Sequence, residues 1–159
     1  MISGRTVEVL LIDDSPADVE LTIHALRRNN LANSIYVAED GKDALDFVFC
    51  RGPHQGRSIT DRPRVILLDL KLPKVMGLDV LRAIRASEQT RAIPVVILTS
   101  SKEQRDLIEG YRLGTSAFIQ KPVDFEQFQN AIREIGLFWL VVNEPPPVDA
   151  FANDAIEGT

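Results

Sequence analysis

The sequence predicts a doubly wound α/β domain, and three observations predict it. Five short apolar runs are spread along the chain, helical periodicities separate them, and four of the runs end abruptly in polar residues. Three of the runs are rich in Val and Ile and continuous rather than alternating, the pattern of parallel strands covered on both faces. At 159 residues and 45% hydrophobic, the chain is long enough for one domain with a substantial core. Alternation of strand and helix five times over implies a parallel sheet with helices on both sides.

The elements follow in order. Val7–Ile12 is the first strand. Ser15-Pro16-Ala17-Asp18 then offers an N-cap with Pro at the first helical position, and Val19, Ile23 and Leu26 recur at helical spacing. Ser34–Ala38 is the second strand, and Ala44, Leu45 and Val48 mark the second helix. Arg51–Arg64 contains Gly, Pro and Arg and reads as an exposed loop longer than the usual connection. Val65–Leu68 is the third strand, followed by the helical positions Val80, Leu81 and Ile84, with Gly77 serving the turn or helix start. Val95–Leu98 is the fourth strand, and Leu107, Ile108 and Tyr111 the next helical stripe. Ala117–Ile119 is the fifth strand. Ser101-Lys102-Glu103-Gln104 and Asp124-Phe125-Glu126-Gln127 resemble capping boxes for the helices that follow the last two strands. Residues 1–143 form the predicted domain, and residues 144–159, with Pro145–Pro147, read as a mostly disordered tail.

Charge and composition narrow the function classes. A net charge of -5 gives the chain as a whole no affinity for nucleic acid or anionic membrane. No basic helix-turn-helix follows the α/β pattern, and the tail is acidic, so a DNA-binding regulator is disfavoured. No uncharged run approaches the ~20 residues that cross a bilayer, and the start of the chain lacks a signal-peptide core. The lone Cys50 permits no internal disulfide and points to a reducing compartment, which makes the expected location the cytoplasm.

Chemistry concentrates where the apolar runs stop. In a doubly wound fold, ligands bind outside the carboxyl ends of the strands. The first strand ends in Asp13-Asp14, the third in Asp69, the fourth in Thr99-Ser100-Ser101 and the fifth in Gln120-Lys121-Pro122. All four sets should converge on one edge of the sheet. Three carboxylates sharing a cleft repel one another unless a cation joins them, and Mg²⁺ accepts carboxylate and phosphate oxygens together. Lys121 and Thr99 add an ammonium and a hydroxyl suited to a phosphoryl group. An acid closing a buried strand is expensive to place. Asp69 makes sense as a nucleophile held by metal and lysine, able to form an acyl phosphate.

Taken singly, each residue has a plainer role. Asp14 or Ser15 alone is most often a helix cap, Asp13 a solvated strand end, Lys121 a surface lysine, and Thr99 a strand residue bonding locally. Four coincident strand ends are not explained by four independent accidents. His24 and His54 have no partner pattern and read as surface residues.

The stretches "LLIDDS", "VILLDLKLPKVMGLDVL", "PVVILTSS" and "AFIQKPVD" resemble, in order and separation, the receiver domain of two-component response regulators, over about Val7 to Ile135. That resemblance implies a flavodoxin-like (βα)5 fold with strand order 2-1-3-4-5. It further implies Asp69 as phosphoacceptor for a sensor histidine kinase. Mg²⁺ would be coordinated by Asp14, Asp69 and the backbone carbonyl of Lys71, with Asp13 acting through water. Thr99 and Lys121 would bind the phosphoryl group, a cis bond would precede Pro122, and Thr99 with Phe118 would form the switch. Two departures stand out. Lys71 is a flexible cation at the cleft rim, and Phe118 lacks the hydroxyl of the commoner tyrosine. An aspartyl phosphatase of the haloacid dehalogenase type also uses Asp, Thr, Lys and Mg²⁺. However, Asp69-Leu70-Lys71 lacks its second acid, and the acidic pair precedes the nucleophile. A non-phosphorylated pseudo-receiver is disfavoured because every site position is filled. The long Arg51–Arg64 connection and "LFWLVVNEPPP" are similar to the small regulators paired with bacterial phytochromes.

The final helix carries a further expectation. Phe125, Phe128, Ile132, Ile135, Trp139 and Val142 form a stripe, and Leu137, Phe138, Leu140 and Val141 add apolar side chains around the other faces. The core should end near Ile135, so Phe138, Trp139 and Leu140 predict a homodimer through an extended C-terminal helix. The alternative is that the last turns fold back onto the chain's own surface.

Overall fold

The computed structural model describes residues 7–28, 35–72, 74–99 and 112–134. Five parallel strands, β1 (Val9–Ile12), β2 (Ile35–Ala38), β3 (Val65–Asp69), β4 (Val95–Thr99) and β5 (Ala117–Gln120), form one sheet in the order β2-β1-β3-β4-β5. Helices α1 (Pro16–Arg28), α2 (Gly41–Val48), α3 (Gly77–Ala86) and α4 (Phe125–Glu134) are the α-helices among the described residues. The flavodoxin-like doubly wound fold is therefore the observed one.

Continuity of the apolar runs has the expected cause. Val9, Leu11, Val65, Leu67, Val96 and Leu98 face α1 and α4, packing with Leu26, Phe128 and Ile132. Leu10, Ile12, Ile66, Leu68, Val95 and Ile97 face the other way, onto Phe47, Val48, Val80, Leu81 and Ile84 of α2 and α3. Successive strand residues point to opposite faces, so a sheet buried on both sides must be apolar at every position. Each large side chain so buried contributes about 1.5–3 kcal/mol.

Caps place the helices. The Ser15 hydroxyl accepts from Asp18 N at 3.3 Å, and Pro16 opens α1 as predicted. Asp124 accepts from Gln127 N at 2.8 Å and starts α4. Asp40, which the hydrophobic pattern does not single out, accepts from Asp43 N at 2.7 Å and starts α2. Gly77 is the first residue of α3, and its amide bonds Leu70 O at 3.1 Å. A Cβ there would meet Leu70 Cα at 2.5 Å and Asp69 O at 2.6 Å, so only glycine lets α3 start against the end of β3. The Lys121–Pro122 peptide is cis, as the resemblance implies.

One expectation is corrected. His54 is not a surface residue: its side chain is only 12% exposed. Its Nε2 lies 2.8 Å from Asp43 Oδ1 and 3.2 Å from the Tyr36 hydroxyl, and its ring meets Tyr36 and Phe47 edge-on. The loop after α2 is largely exposed, yet it is tethered. Arg57 stacks on the Phe47 ring at 3.6 Å, bonds Phe47 O, and donates to Asp61 O at 2.8 Å. His24, by contrast, is exposed as expected.

Among the described residues no helix is long and apolar enough to cross a membrane. The predicted Leu107–Tyr111 helix with its cap at Ser101, the extension carrying Phe138, Trp139 and Leu140, and the tail 144–159 all lie outside the described residues.

Candidate functional site

Strand register assembles the site. Ile12 pairs with Leu68, so Asp13 lies level with Asp69 on the neighbouring strand. Thr99 closes β4 opposite Gln120, and Lys121 N donates to Thr99 O at 2.8 Å. The strand ends named from the sequence thus reach one edge of the sheet. Ser100 and Ser101 lie outside the described residues.

At that edge a single ammonium gathers the acids. Lys121 Nζ lies 2.8 Å from Asp69 Oδ2, 2.9 Å from Asp13 Oδ2 and 2.9 Å from Asp18 Oδ2. Asp13 is fully buried and Asp69 nearly so, at 0% and 7% exposure. Asp13 is therefore no solvated strand end. Its Oδ1 accepts from Ser15 N at 3.0 Å, and Asp69 Oδ1 accepts from Lys71 N at 3.1 Å. Thr99 is half-buried at the rim, and Asp14 and the Lys71 side chain are exposed. Phe118 is half-buried in edge strand β5 and packs against the core cluster shared with α2 and α3.

Electrostatics follow from this crowding. Burial pushes the Asp13 carboxyl up, opposed by its close contact with the Lys121 ammonium and the hydrogen bond from Ser15 N, and reinforced by the Asp69 charge. For Lys121, burial acts downward, but hydrogen bonds to Asp69 and Asp18 and the close ion-pair contact with Asp13 outweigh it and hold the ammonium well above the usual lysine range.

The donor set fits a hard divalent cation. Carboxylate oxygens of Asp13, Asp14 and Asp69 all lie within 4.8 Å of one another. Asp13 Oδ2 is buried and in ion-pair contact with Lys121, yet no donor is aligned to hydrogen-bond it. A buried carboxylate oxygen lacking an aligned donor, beside two further carboxylates, is the arrangement a metal or its water completes.

Sequence reasoning missed Asp18. The available signal was its place in the first turn of α1: a helix that leaves the carboxyl end of β1 sets its first-turn side chains beside the same cleft.

Residues 9–133 match the response regulator receiver domain family. The chain is 40% identical over 140 residues to "Probable methanogenesis regulatory protein FilR2" of Methanothrix harundinacea, covering 87% of this chain and 86% of that protein. It is 33% identical to "Response regulator Rcp1" of Synechocystis, covering 83% of this chain and 88% of that protein. Among solved structures, "Bacteriophytochrome response regulator RtBRR" is 49% identical at a TM-score of 0.77, over 94% of this chain and 90% of that one. The Mn²⁺-bound form of Rcp1 is 32% identical at a TM-score of 0.70, over 87% of this chain and 98% of that one. With a buried aspartate closing β3, an acidic pair closing β1 and a lysine closing β5, the chain is a member of the response regulator receiver family, a family of signalling proteins.

Proposed function

We propose that this protein accepts a phosphoryl group on Asp69 from a sensor histidine kinase and switches its protein contacts in response. The observation that carries the reading is the buried Asp69 carboxylate held 2.8 Å from Lys121 Nζ at the carboxyl edge of the sheet. A carboxylate oxygen of Asp69 attacks phosphorus, the P–N bond to the kinase's histidine breaks, and the imidazole leaves with the electron pair. Lys121 and the Thr99 hydroxyl bind phosphoryl oxygens. Asp14, Asp69 and the Lys71 carbonyl would hold Mg²⁺, with Asp13 acting through water. Bound Mg²⁺ supplies the positive charge that lets carboxylates and phosphoryl oxygens share the cleft. Beyond this self-catalysed transfer and the eventual hydrolysis, the protein is no enzyme.

Phosphate on Asp69 draws Thr99 inward and lets Phe118 fill the space released, a two-state shift biased by differential contacts. A bacterial phytochrome is the kinase we favour, supported by the likeness to a structure titled as a bacteriophytochrome response regulator. The protein works in the cytoplasm, without nucleic acid or membrane, as a homodimer through Phe138, Trp139 and Leu140. Residues 1–143 form the receiver with its extended helix, and 144–159 its tail.

Acetyl phosphate with Mg²⁺ tests the core of this reading. The wild type should trap about one phosphoryl group per chain, as an acyl-phosphate acceptor does, and Asp69→Asn none. Turnover of many equivalents would indicate a phosphatase instead, and phosphate retained by Asp69→Asn would refute the assignment.

A further inference from the structure

A lysine ammonium has three N–H donors, and at Lys121 all three already face carboxylates: Asp69, Asp13 and Asp18. The Lys121 side chain is only 8% exposed, so the carboxylates take the place of water. On phosphorylation the phosphoryl group takes over the donor that Asp69 Oδ2 now receives, and a second phosphoryl oxygen can reach this ammonium only where one of the other two carboxylates gives way.

The structure decides which. Asp13 is fully buried, closes β1 and is anchored through its other oxygen by Ser15 N. Releasing it from Lys121 would strand a charge inside the protein. Asp18 stands at the edge of the cleft in the first turn of α1, its side chain 36% exposed. A rotation about its own side-chain bonds delivers its carboxylate to water, where it is solvated at little cost.

We propose that Asp18 is a positioning residue that occupies Lys121 in the resting protein and is displaced from it by the phosphoryl group. The inference rests on Asp69 being the phosphoacceptor. In the resting state Asp18 keeps the ammonium aimed into the cleft and satisfied. In the phosphorylated state the same acid is returned to the outer surface of α1, so that phosphorylation alters the charge this helix presents. The competition opposes phosphoryl binding by the strength of one partly exposed ion pair.

The test is beryllofluoride, a phosphoryl mimic, titrated at saturating Mg²⁺ and followed by the bound signal in ¹⁹F NMR. Removing the competitor in Asp18→Asn, and independently in Asp18→Ala, should tighten binding by about fivefold, the size of one such pair. Glu20→Gln makes the same change of net charge on the same helix at an exposed position. It should leave affinity near that of wild type. Unchanged or weaker binding in both Asp18 variants would overturn the proposal, as would equal tightening in Glu20→Gln, which would assign the effect to the general field. Absence of any bound signal in wild type would instead bring down the phosphoacceptor reading, and this inference with it.

Discussion

Gly77→Ala tests whether the phosphoacceptor strand and α3 are as tightly joined as the structure shows. The new Cβ would lie 2.5 Å from Leu70 Cα, 2.6 Å from Asp69 O and 2.8 Å from Leu70 O, all backbone atoms that no rotamer change can move. Restoring an ordinary 3.4 Å contact from 2.5 Å requires the helix start to retreat by about 0.9 Å. The bond from Gly77 N to Leu70 O, now 3.1 Å, would then pass beyond hydrogen-bond range. Its loss costs about 0.5–1.5 kcal/mol, and overpacking adds roughly 1–3 kcal/mol. Alanine's helix propensity returns at most ~1 kcal/mol. A net loss of roughly 1–3 kcal/mol is expected in urea denaturation followed by circular dichroism. Because Asp69 and Lys71 flank Leu70, against whose backbone the helix start packs, Mg²⁺-dependent phosphorylation should also slow. Gly56→Ala is the control, since a Cβ there meets nothing within 4 Å. Equal stability of Gly77→Ala and wild type would refute the close-packing argument.

Asp14→Ala should fold normally yet fail to trap phosphate from acetyl phosphate at Mg²⁺ concentrations that saturate wild type. Trapping regained at much higher Mg²⁺ would confirm that metal affinity is what was lost. The Tyr36 phenol, partly buried and donating to Asp43 at 2.8 Å, is pushed up from 10.0 to about 12. A folded-state value above the unfolded one means that its contribution to stability is fully present below pH 10 and is lost as pH rises towards 12. Unfolding free energies measured across that window should therefore fall in wild type, with a smaller slope in Tyr36→Phe. His54→Ala should cost about 1–3 kcal/mol, because it removes a partner from Asp43 and Tyr36 inside a packed aromatic cluster. Faster proteolysis within the loop after α2 would report the lost tether. Light scattering should show a dimer for wild type and a monomer for a Phe138→Asp, Leu140→Asp variant; a monomeric wild type would end that proposal.

The sheet was legible because double-sided burial leaves a one-dimensional trace. β1, and β3 and β4 up to their last residues, are apolar at every position to satisfy α1 and α4 on one face and α2 and α3 on the other. Strand ends were legible for the complementary reason: where the helical layers stop covering the sheet, polar side chains begin, and a parallel sheet puts all those ends on one edge. The change of polarity comes one residue before the strands end at Asp69, Thr99 and Gln120, since backbone pairing continues past it. What the chain did not disclose is how side chains meet across that edge. Asp18 and Lys121 are 103 positions apart, and no periodicity links them. His54 likewise carries no mark of Asp43, Tyr36 and Phe47, because a loop residue's partners depend on where the loop returns. Periodic burial is a local property repeated along the chain, so sequence alone can determine it. The partners of one ammonium or one imidazole depend on distances through space, and only the folded structure settles those.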